Sequence, residues 1–355
     1  MDQLQQARQI IDRADREMAR LFEQRMQAVR QVIEYKRSHD LPILDAAREE
    51  QVVAKNMALL TDAELAPYYE EYIRRQMELS RRYQAHILGR ETIAYQGVEG
   101  AFSHIALTRL FPGARAKSCA GWDEVFTAVE TQQAAFGVLP FENSSAGDVS
   151  AVLDLCWKHD LYVVQMYDLP VGQNLLGLPG ASLGDIRTVY SHPQAISQSE
   201  RFLKTLNLTA QPMENTAAAA QFVSQQGNKA LAAIASEETA ALYGLQVLAS
   251  QINTEGDNTT RFIVVGREKP TQGNRFSLLF AADHKAGMLA QVIQQIGAAG
   301  FNMECIKSRP MPHVQFEYYF YVELVGDANS PAAQQLLAEM QATCRTVRLL
   351  GVYSR

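Results

Sequence analysis

The sequence predicts a multidomain protein: an all-α segment, then an α/β body of two lobes, then a smaller α+β layer. Three observations predict it. From Asp2 to Ser38 there is neither Pro nor Gly, and apolar residues recur at helical spacing. From Thr92 the pattern changes to short β-rich runs alternating with helical stretches. After a polar linker, Glu268 to Asn274, a third succession of strands and helices follows.

Residues 1–90 read as three helices, roughly 2–38, 45–60 and 62–88, with Pro42, Pro67 and Gly89 as breakers. The first would be about 55 Å long at 1.5 Å per residue. A small module cannot cover such a helix, so its seam is expected to close on a second copy, as an intertwined homodimer or higher homo-oligomer. In residues 92–267 the β-rich runs are Thr92 to Gln96, Phe136 to Phe141, Tyr162 to Asp168, Thr188 to Ser191, Leu231 to Ala235 and Phe262 to Val265. Helical stretches such as Ser103 to Leu110, Trp122 to Thr131 and Thr216 to Gln225 separate them. The alternation predicts parallel sheets with helices on both faces and a cleft between two lobes at the strand ends. Residues 275–355 run strand (Arg275 to Ala281), helix (Met288 to Ala299), strand (Asn302 to Ser308), strand (Phe316 to Val325), helix (Pro331 to Ala342), strand (Thr346 to Tyr353). That βαββαβ order is a ferredoxin-like layer.

Composition narrows the function. Against 33 Lys+Arg stand 39 Asp+Glu, with no basic block, so nucleic acid is not expected as a partner. Cys119, Cys156, Cys305 and Cys344 lack C-x-x-C pairing, so neither metal nor disulfide is expected, and no cofactor is called for. The N-terminus is charged at Asp2, Arg8, Asp12 and Arg13, and no apolar run would span a bilayer. A cytoplasmic enzyme is the expectation.

Arg25 and Lys36 interrupt the first seam (Leu4, Ala7, Ile11, Ala14, Met18, Leu21, Phe22, Val29, Val32). Eleven positions apart, they point within about 20° of each other at roughly 100° per residue. Cations on a core-facing stripe call for an anionic partner, unless their stems snorkel to water. Ser80 and Gln84 extend the stripe Tyr69, Ile73, Met77 of the third helix, at i, i+4 on one face. Asp45, Arg48 and Glu49 open the second helix, where capping alone would explain Asp45.

Taken together, R-Q-I-I-D at the start, Q-R at Arg25, Lys36, D-x-x-R-E at Asp45 to Glu49 and S-x-x-x-Q at Ser80 to Gln84 resemble the AroQ-type chorismate mutase domain. The resemblance implies rearrangement of chorismate to prephenate, a unimolecular step that gains from a fixed conformer and from donors at the ether oxygen. It implies that Arg25, Arg48 and Arg8 of a second protomer bind carboxylates, and that Lys36 and Gln84 serve the ether oxygen. Glu49 would hold the ring hydroxyl, with Asp45 and Ser80 lining the site.

Gly137 to Gly147 reads G-V-L-P-F-E-N-S-S-A-G, a strand emptying into a loop of small polar residues able to meet an anion. With G-x-x-G-A-F-S-H (Gly97 to His104), S-H-P-Q (Ser191 to Gln194), E-N-T-A-A-A (Glu214 to Ala219) and D-N-T-T-R-F (Asp257 to Phe262), it resembles prephenate dehydratase. The product of the first domain would be the substrate of the second. The family points to Thr260 as the essential hydroxyl, with Thr259 as the competing register. Asn143, Ser144, Ser145, Gln194 and Thr216 would contact anion and hydroxyl, with Glu142 and Glu214 as acids. His104 and His192 read as turn or helix-start residues.

Residues 275–355 resemble an ACT regulatory domain, which implies phenylalanine as effector and pairing across a dimer. Asp283, Gly287, Met288 and Leu289 occupy one expected binding region, and Ser308, Arg309 and Pro310 the other. Lys307 stands where the family's E-S-R-P motif has an acid, so phenylalanine is expected to inhibit weakly and Lys307→Glu to strengthen inhibition. Two alternatives stand beside the bifunctional reading: an arogenate-preferring dehydratase, and a non-catalytic bilobed ligand sensor dimerised by its helices.

Overall fold

The computed structural model describes residues 3–39, 41, 43–88, 91–254, 258–283, 285–312, 314 and 316–354. The expected helix start at Asp2, the breakers Pro42 and Gly89, and Asp257 of the D-N-T-T-R-F run lie outside them. The chain divides into two compact units, residues 1–91 with 113–115, and residues 92–112 with 116–355.

In the first unit, α1 (Gln3–Ser38), α2 (Ala46–Met57) and α3 (Ala66–Leu88) form as the periodicity predicts. Asp45 caps α2 by accepting from the Arg48 N–H. The third helix starts four residues later than expected, because Pro67 fits only a first helical turn; Asp62 instead caps a separate 3-10 turn, Ala63–Leu65. Val53, Ile73 and Met77 form a small core. Along α1 only Ile33 is buried among the described residues, whereas Leu4, Ile11, Met18 and Leu21 are about half exposed.

The second unit opens with β1 (Thr92–Gln96), α4 (Phe102–Leu110), β2 (Arg115–Cys119), α5 (Trp122–Glu130), β3 (Phe136–Asn143), β4 (Gly147–Asp148), α6 (Ser150–Lys158) and β5 (Tyr162–Pro170). The second lobe holds β6 (Asn174–Gly177), β7 (Thr188–Ser191), α7 (Pro193–Gln198), α8 (Glu200–Thr205), β8 (Thr209–Pro212), α9 (Thr216–Gln226), β9 (Leu231–Ala235), α10 (Glu237–Tyr243) and β10 (Gln246–Ala249). The chain then returns as β11 (Thr259–Gly266), between β3 and β5 of the first lobe. Neither sheet is all parallel, which corrects the expectation. β11 runs antiparallel to both neighbours, and β6 runs antiparallel to β9 and β10. A returning strand has no periodicity of its own to announce its direction.

The last layer is β12 (Arg275–Ala281), α11 (Met288–Ala298), β13 (Asn302–Pro310), β14 (Tyr318–Val325), α12 (Pro331–Thr343) and β15 (Thr346–Tyr353), in sheet order β13-β14-β12-β15. β14 starts two residues later than expected, because Phe316 takes a positive φ of 61° and is largely exposed. One face of this sheet (Phe276, Leu278, Phe280, Val322, Leu324) packs on its own helices. The other (Leu279, Ala281, Tyr319, Tyr321, Tyr353) joins the core of the first lobe with Leu139, Phe141 and Ile263. Alternate residues are therefore apolar on both faces because both faces are buried.

Through β15 and β5 the two sheets run on as one, ten strands in all, at the rung Gly351 opposite Val163. A Cβ at 351 would overlap the Val163 carbonyl oxygen and stand 2.8 Å from the Val163 Cβ. Gly351→Ala is therefore expected to destabilise the second unit by about 1–3 kcal/mol. A urea midpoint unchanged from the unaltered protein would show that the strands separate freely there.

Candidate functional sites

The helical unit brings α1 and α3 together around the interrupting cations. Arg25 Nη1 donates to Ser80 Oγ, and Ser80 is buried. Burial lowers the Arg25 pKa, slightly opposed by Tyr72. Among the described residues Arg25 forms no ion pair, so a half-buried guanidinium is matched by a hydroxyl rather than by a charge. Lys36 Nζ donates to the Ile43 carbonyl. Burial lowers its pKa, and Asp45 and Glu49 work in the opposite direction. Gln84 is buried with its Oε1 without a hydrogen-bond partner.

Arg81 was not singled out from the sequence. Its guanidinium pairs with Glu49, and only its place beside Ser80 in S-x-x-x-Q could have pointed to it. Arg8 and Arg48 are exposed, and the contact seen for Arg48 is its backbone N–H to Asp45 at 3.0 Å.

The second unit encloses a cavity of about 400 Å³ between its lobes. The first lobe supplies Gln96, Phe102 and Trp122, then Asn143, Thr260 and Phe262. The second lobe supplies His192, Gln194, Gln198, Glu214 and Thr216, and Gln173 and Asn258 come from the segments that connect the lobes. β1, β3 and β7 each end at its edge, as expected of a crevice at carboxyl strand ends.

Asn143 organises the floor. Its Nδ2 donates to Thr260 Oγ1 at 2.9 Å, to Asn258 Oδ1 at 2.8 Å and to the Thr259 carbonyl at 3.3 Å. Its Oδ1 accepts the backbone N–H groups of Ser145 and Ala146 at 3.1 and 2.9 Å, and the Gln194 amide at 3.4 Å. Thr260 lies opposite Asn143 across β11 and β3. Its oxygen already accepts a hydrogen bond, so its own O–H proton remains to be given. Thr259 does not line this cavity: its N–H donates to Ser144 Oγ at 3.0 Å.

Asn143, Gln194, Glu214, Thr216 and Thr260 thus come together as expected. Glu142, Ser144 and Ser145 do not. Glu142 turns to Arg261 at 3.1 Å and Lys307 at 3.3 Å. Ser144 is tied to β11, and Ser145 faces an outer groove with Arg201 and Lys204. Asn258, Gln173, Gln198 and Trp122 were missed. Of these, only Asn258 carried a signal, inside D-N-T-T-R-F.

His192 caps α7, accepting from the Gln194 N–H at 3.2 Å, and the His104 ring accepts from the Gly100 N–H at 3.2 Å. Burial lowers both pKa values, and Glu99 opposes it for His104. Both sit at helix starts, His192 as the cap of α7 and His104 in the first turn of α4, as read. Among the described residues the lining contains no Lys or Arg, but α4 and α9 begin at it, with Phe102 and Thr216 as their first residues. Free N–H groups and the positive dipole end of a helix favour an anion without a counter-charge.

In the last layer, Asp283 and Leu289 border a second cavity of about 360 Å³ with Tyr318 and Phe320. Gly287, at φ 84°, caps α11 just before Met288. Arg345 at 2.6 Å and Lys285 at 3.0 Å hold Asp283, and the Arg345 hydrogen bond lowers its pKa. Ser308 and Pro310 lie on β13 opposite Phe320 and Tyr318. Arg309 does not join them: its guanidinium forks onto Asp154 of α6 at 2.9 and 2.6 Å. Lys307 does not line this cavity either, which corrects the expectation that it stands at the effector in place of the family's acid. Its own ammonium is held by Asp148.

Residues 93–270 match the family model for prephenate dehydratase, and residues 7–85 match that for chorismate mutase type II. The bifunctional chorismate mutase/prephenate dehydratase of Aquifex aeolicus (strain VF5) is 29% identical over 368 residues, covering 100% of this chain and 99% of that one. The chloroplastic arogenate dehydratase/prephenate dehydratase 1 of Arabidopsis thaliana is 33% identical over 279 residues, 74% of this chain and 71% of that one. The crystal structure of prephenate dehydratase from Arthrobacter aurescens in complex with L-Phe has a TM-score of 0.69 at 28% identity, covering 74% of this chain and 90% of that one.

Proposed function

The chain belongs to the prephenate dehydratase family and carries a chorismate mutase ahead of that domain, and we propose that Lys36 and Gln84 serve the first reaction and Thr260 the second. It is a bifunctional enzyme of phenylalanine biosynthesis, converting chorismate to prephenate and prephenate to phenylpyruvate.

In the rearrangement one C–O bond breaks as one C–C bond forms, and the ether oxygen gains negative charge. Lys36 supplies a cation there, and the Gln84 amide a second donor. Arg25, without an acidic partner among the described residues, receives a substrate carboxylate in place of the hydroxyl it now meets. The Arg81 pair fixes Glu49 for the ring hydroxyl, with Asp45 and Ser80 beside it. Arg8 and Arg48 lie open to solvent, which suits a site completed by a second protomer. The half-exposed apolar seam of α1 supports the same reading, a homodimer or larger homo-oligomer.

In the dehydration the bond to the ring carboxylate breaks and releases CO2, its electron pair enters the ring, and hydroxide leaves from the opposite carbon, taking up one proton from solvent to become water. Thr260 gives a hydrogen bond to that departing hydroxyl, because Asn143 occupies its acceptor side. That single contact carries the assignment. The N-termini of α4 and α9 hold the dianion, while Phe102, Trp122 and Phe262 offer the carboxylate that is lost a poorly solvated wall. Adding chorismate to the purified protein tests the reading: prephenate should appear first and phenylpyruvate after it. Turnover of arogenate in place of prephenate would make the amino substrate the preferred one.

The C-terminal layer is read as an ACT module with phenylalanine as allosteric effector, in the cavity beside Asp283, Gly287, Met288 and Leu289. Ser308 and Pro310 would approach it from β13. Arg345 and Lys285 already neutralise Asp283, so little charge is left for the effector's ammonium. Phenylalanine is therefore expected to inhibit the dehydratase weakly. A titration showing tight, cooperative inhibition would refute that.

A further inference from the structure

Lys307 and Arg309, two residues apart on one face of β13, both leave their own layer. Lys307 Nζ hydrogen-bonds Asp148, lies 3.3 Å from the Glu142 carboxylate and 4.9 Å from the centre of the Phe141 ring. Its side chain is 8% exposed, so the charge sits in partners rather than in water.

Glu142 and Asp148 are cross-strand partners on β3 and β4. They stand at the neck of the loop that carries Asn143, Ser144 and Ser145. Like charges directly opposite on paired strands repel. Arg261, next to Thr260, reaches Glu142 at 3.1 Å and Asp168 at 2.9 Å, but it does not bridge the two acids of the neck. Lys307 does. Its pKa is raised: burial lowers it, and the Asp148 hydrogen bond together with Cys305 and the charges of Glu142 and Asp148 more than offsets that. Counted over these four ion pairs of the described residues, two cations face three carboxylates, a net charge of −1. A neutral residue at 307 would leave −2, and an acid −3.

We propose that Lys307 is a positioning residue for the dehydratase reaction, a cation lent by the C-terminal layer that clasps the neck of the 143–147 loop and so keeps Asn143 against Thr260. The proposal rests on the assignment of the dehydration to that pair. Any shift of β13 is then felt by the loop, without a contact between Lys307 and substrate.

The test uses the full chain with prephenate as substrate and chorismate turnover as internal control. Lys307→Met is expected to lower dehydratase kcat about tenfold or more with a smaller change in KM, since misplacing a positioned group costs rate rather than binding. Mutase turnover stays normal, and Lys307→Arg keeps most dehydratase activity. Adding Asp148→Asn to Lys307→Met removes the repulsion and recovers kcat several-fold, which lost packing alone would not allow. Dehydratase kcat within about twofold of normal in Lys307→Met, or no recovery in the double variant, overturns the proposal. If Lys307→Met alone does not fold, the double variant decides by the same criterion. Failure of the unaltered protein to consume prephenate would instead overturn the assignment beneath it.

Discussion

Thr260→Ala is expected to abolish phenylpyruvate formation while chorismate is still consumed, so that prephenate accumulates. The expected loss of kcat is roughly 100-fold or more, the scale for removing one donor aimed at charge that develops in the transition state. On the proposed assignment the cause is local: Asn143 Nδ2 donates to the Thr260 oxygen at 2.9 Å, which leaves the Thr260 O–H to hydrogen-bond the departing hydroxyl. Thr259→Ala should do much less, since Thr259 does not line the cavity. Absorbance of phenylpyruvate after addition of prephenate measures both. If the two variants exchange these effects, the hydroxyl donor is one residue earlier.

The second large effect belongs to the helical unit. Lys36→Ala should cut mutase kcat by roughly 100-fold or more, because it removes from α1 a cation on which Asp45 and Glu49 act and which the proposal places at the ether oxygen. Dehydratase activity on added prephenate should survive, since the reactions use different residues in different units. Retention of most mutase activity in a folded Lys36→Ala protein would remove Lys36 from the site. Lys307→Glu offers a related contrast. The sequence suggested that it would strengthen phenylalanine inhibition, but beside Glu142 and Asp148 a third carboxylate should instead impair the dehydratase.

Three helices, two lobes and a βαββαβ layer were legible in the sequence, because periodicity records which side of each element is buried. Residue types at helical spacing also pointed to Arg25 and Lys36, and the resemblance to prephenate dehydratase pointed to Asn143 and Thr260. Periodicity does not record what a face is buried against. The apolar back of β12 and β14 could have met solvent, a second copy or the first lobe, and only the packed structure joins it to Phe141 and Ile263. Strand direction was hidden for the same reason: β11 enters between β3 and β5 after a whole lobe has intervened.

Charge partners were the least legible of all. Glu142 was read toward substrate and Lys307 toward an effector, from the motifs that contain them. Between residues 142 and 307 there is no local spacing to follow. Their pairing follows from the registers that set β13 beside β14 and β14 beside β12 and from the packing of that sheet's inner face on the first lobe, where two acids facing each other across a hairpin need a cation between them. The sequence by itself determined the elements and the chemistry each could carry; the tertiary structure decided which charges meet, because that depends on contacts between residues far apart in the chain.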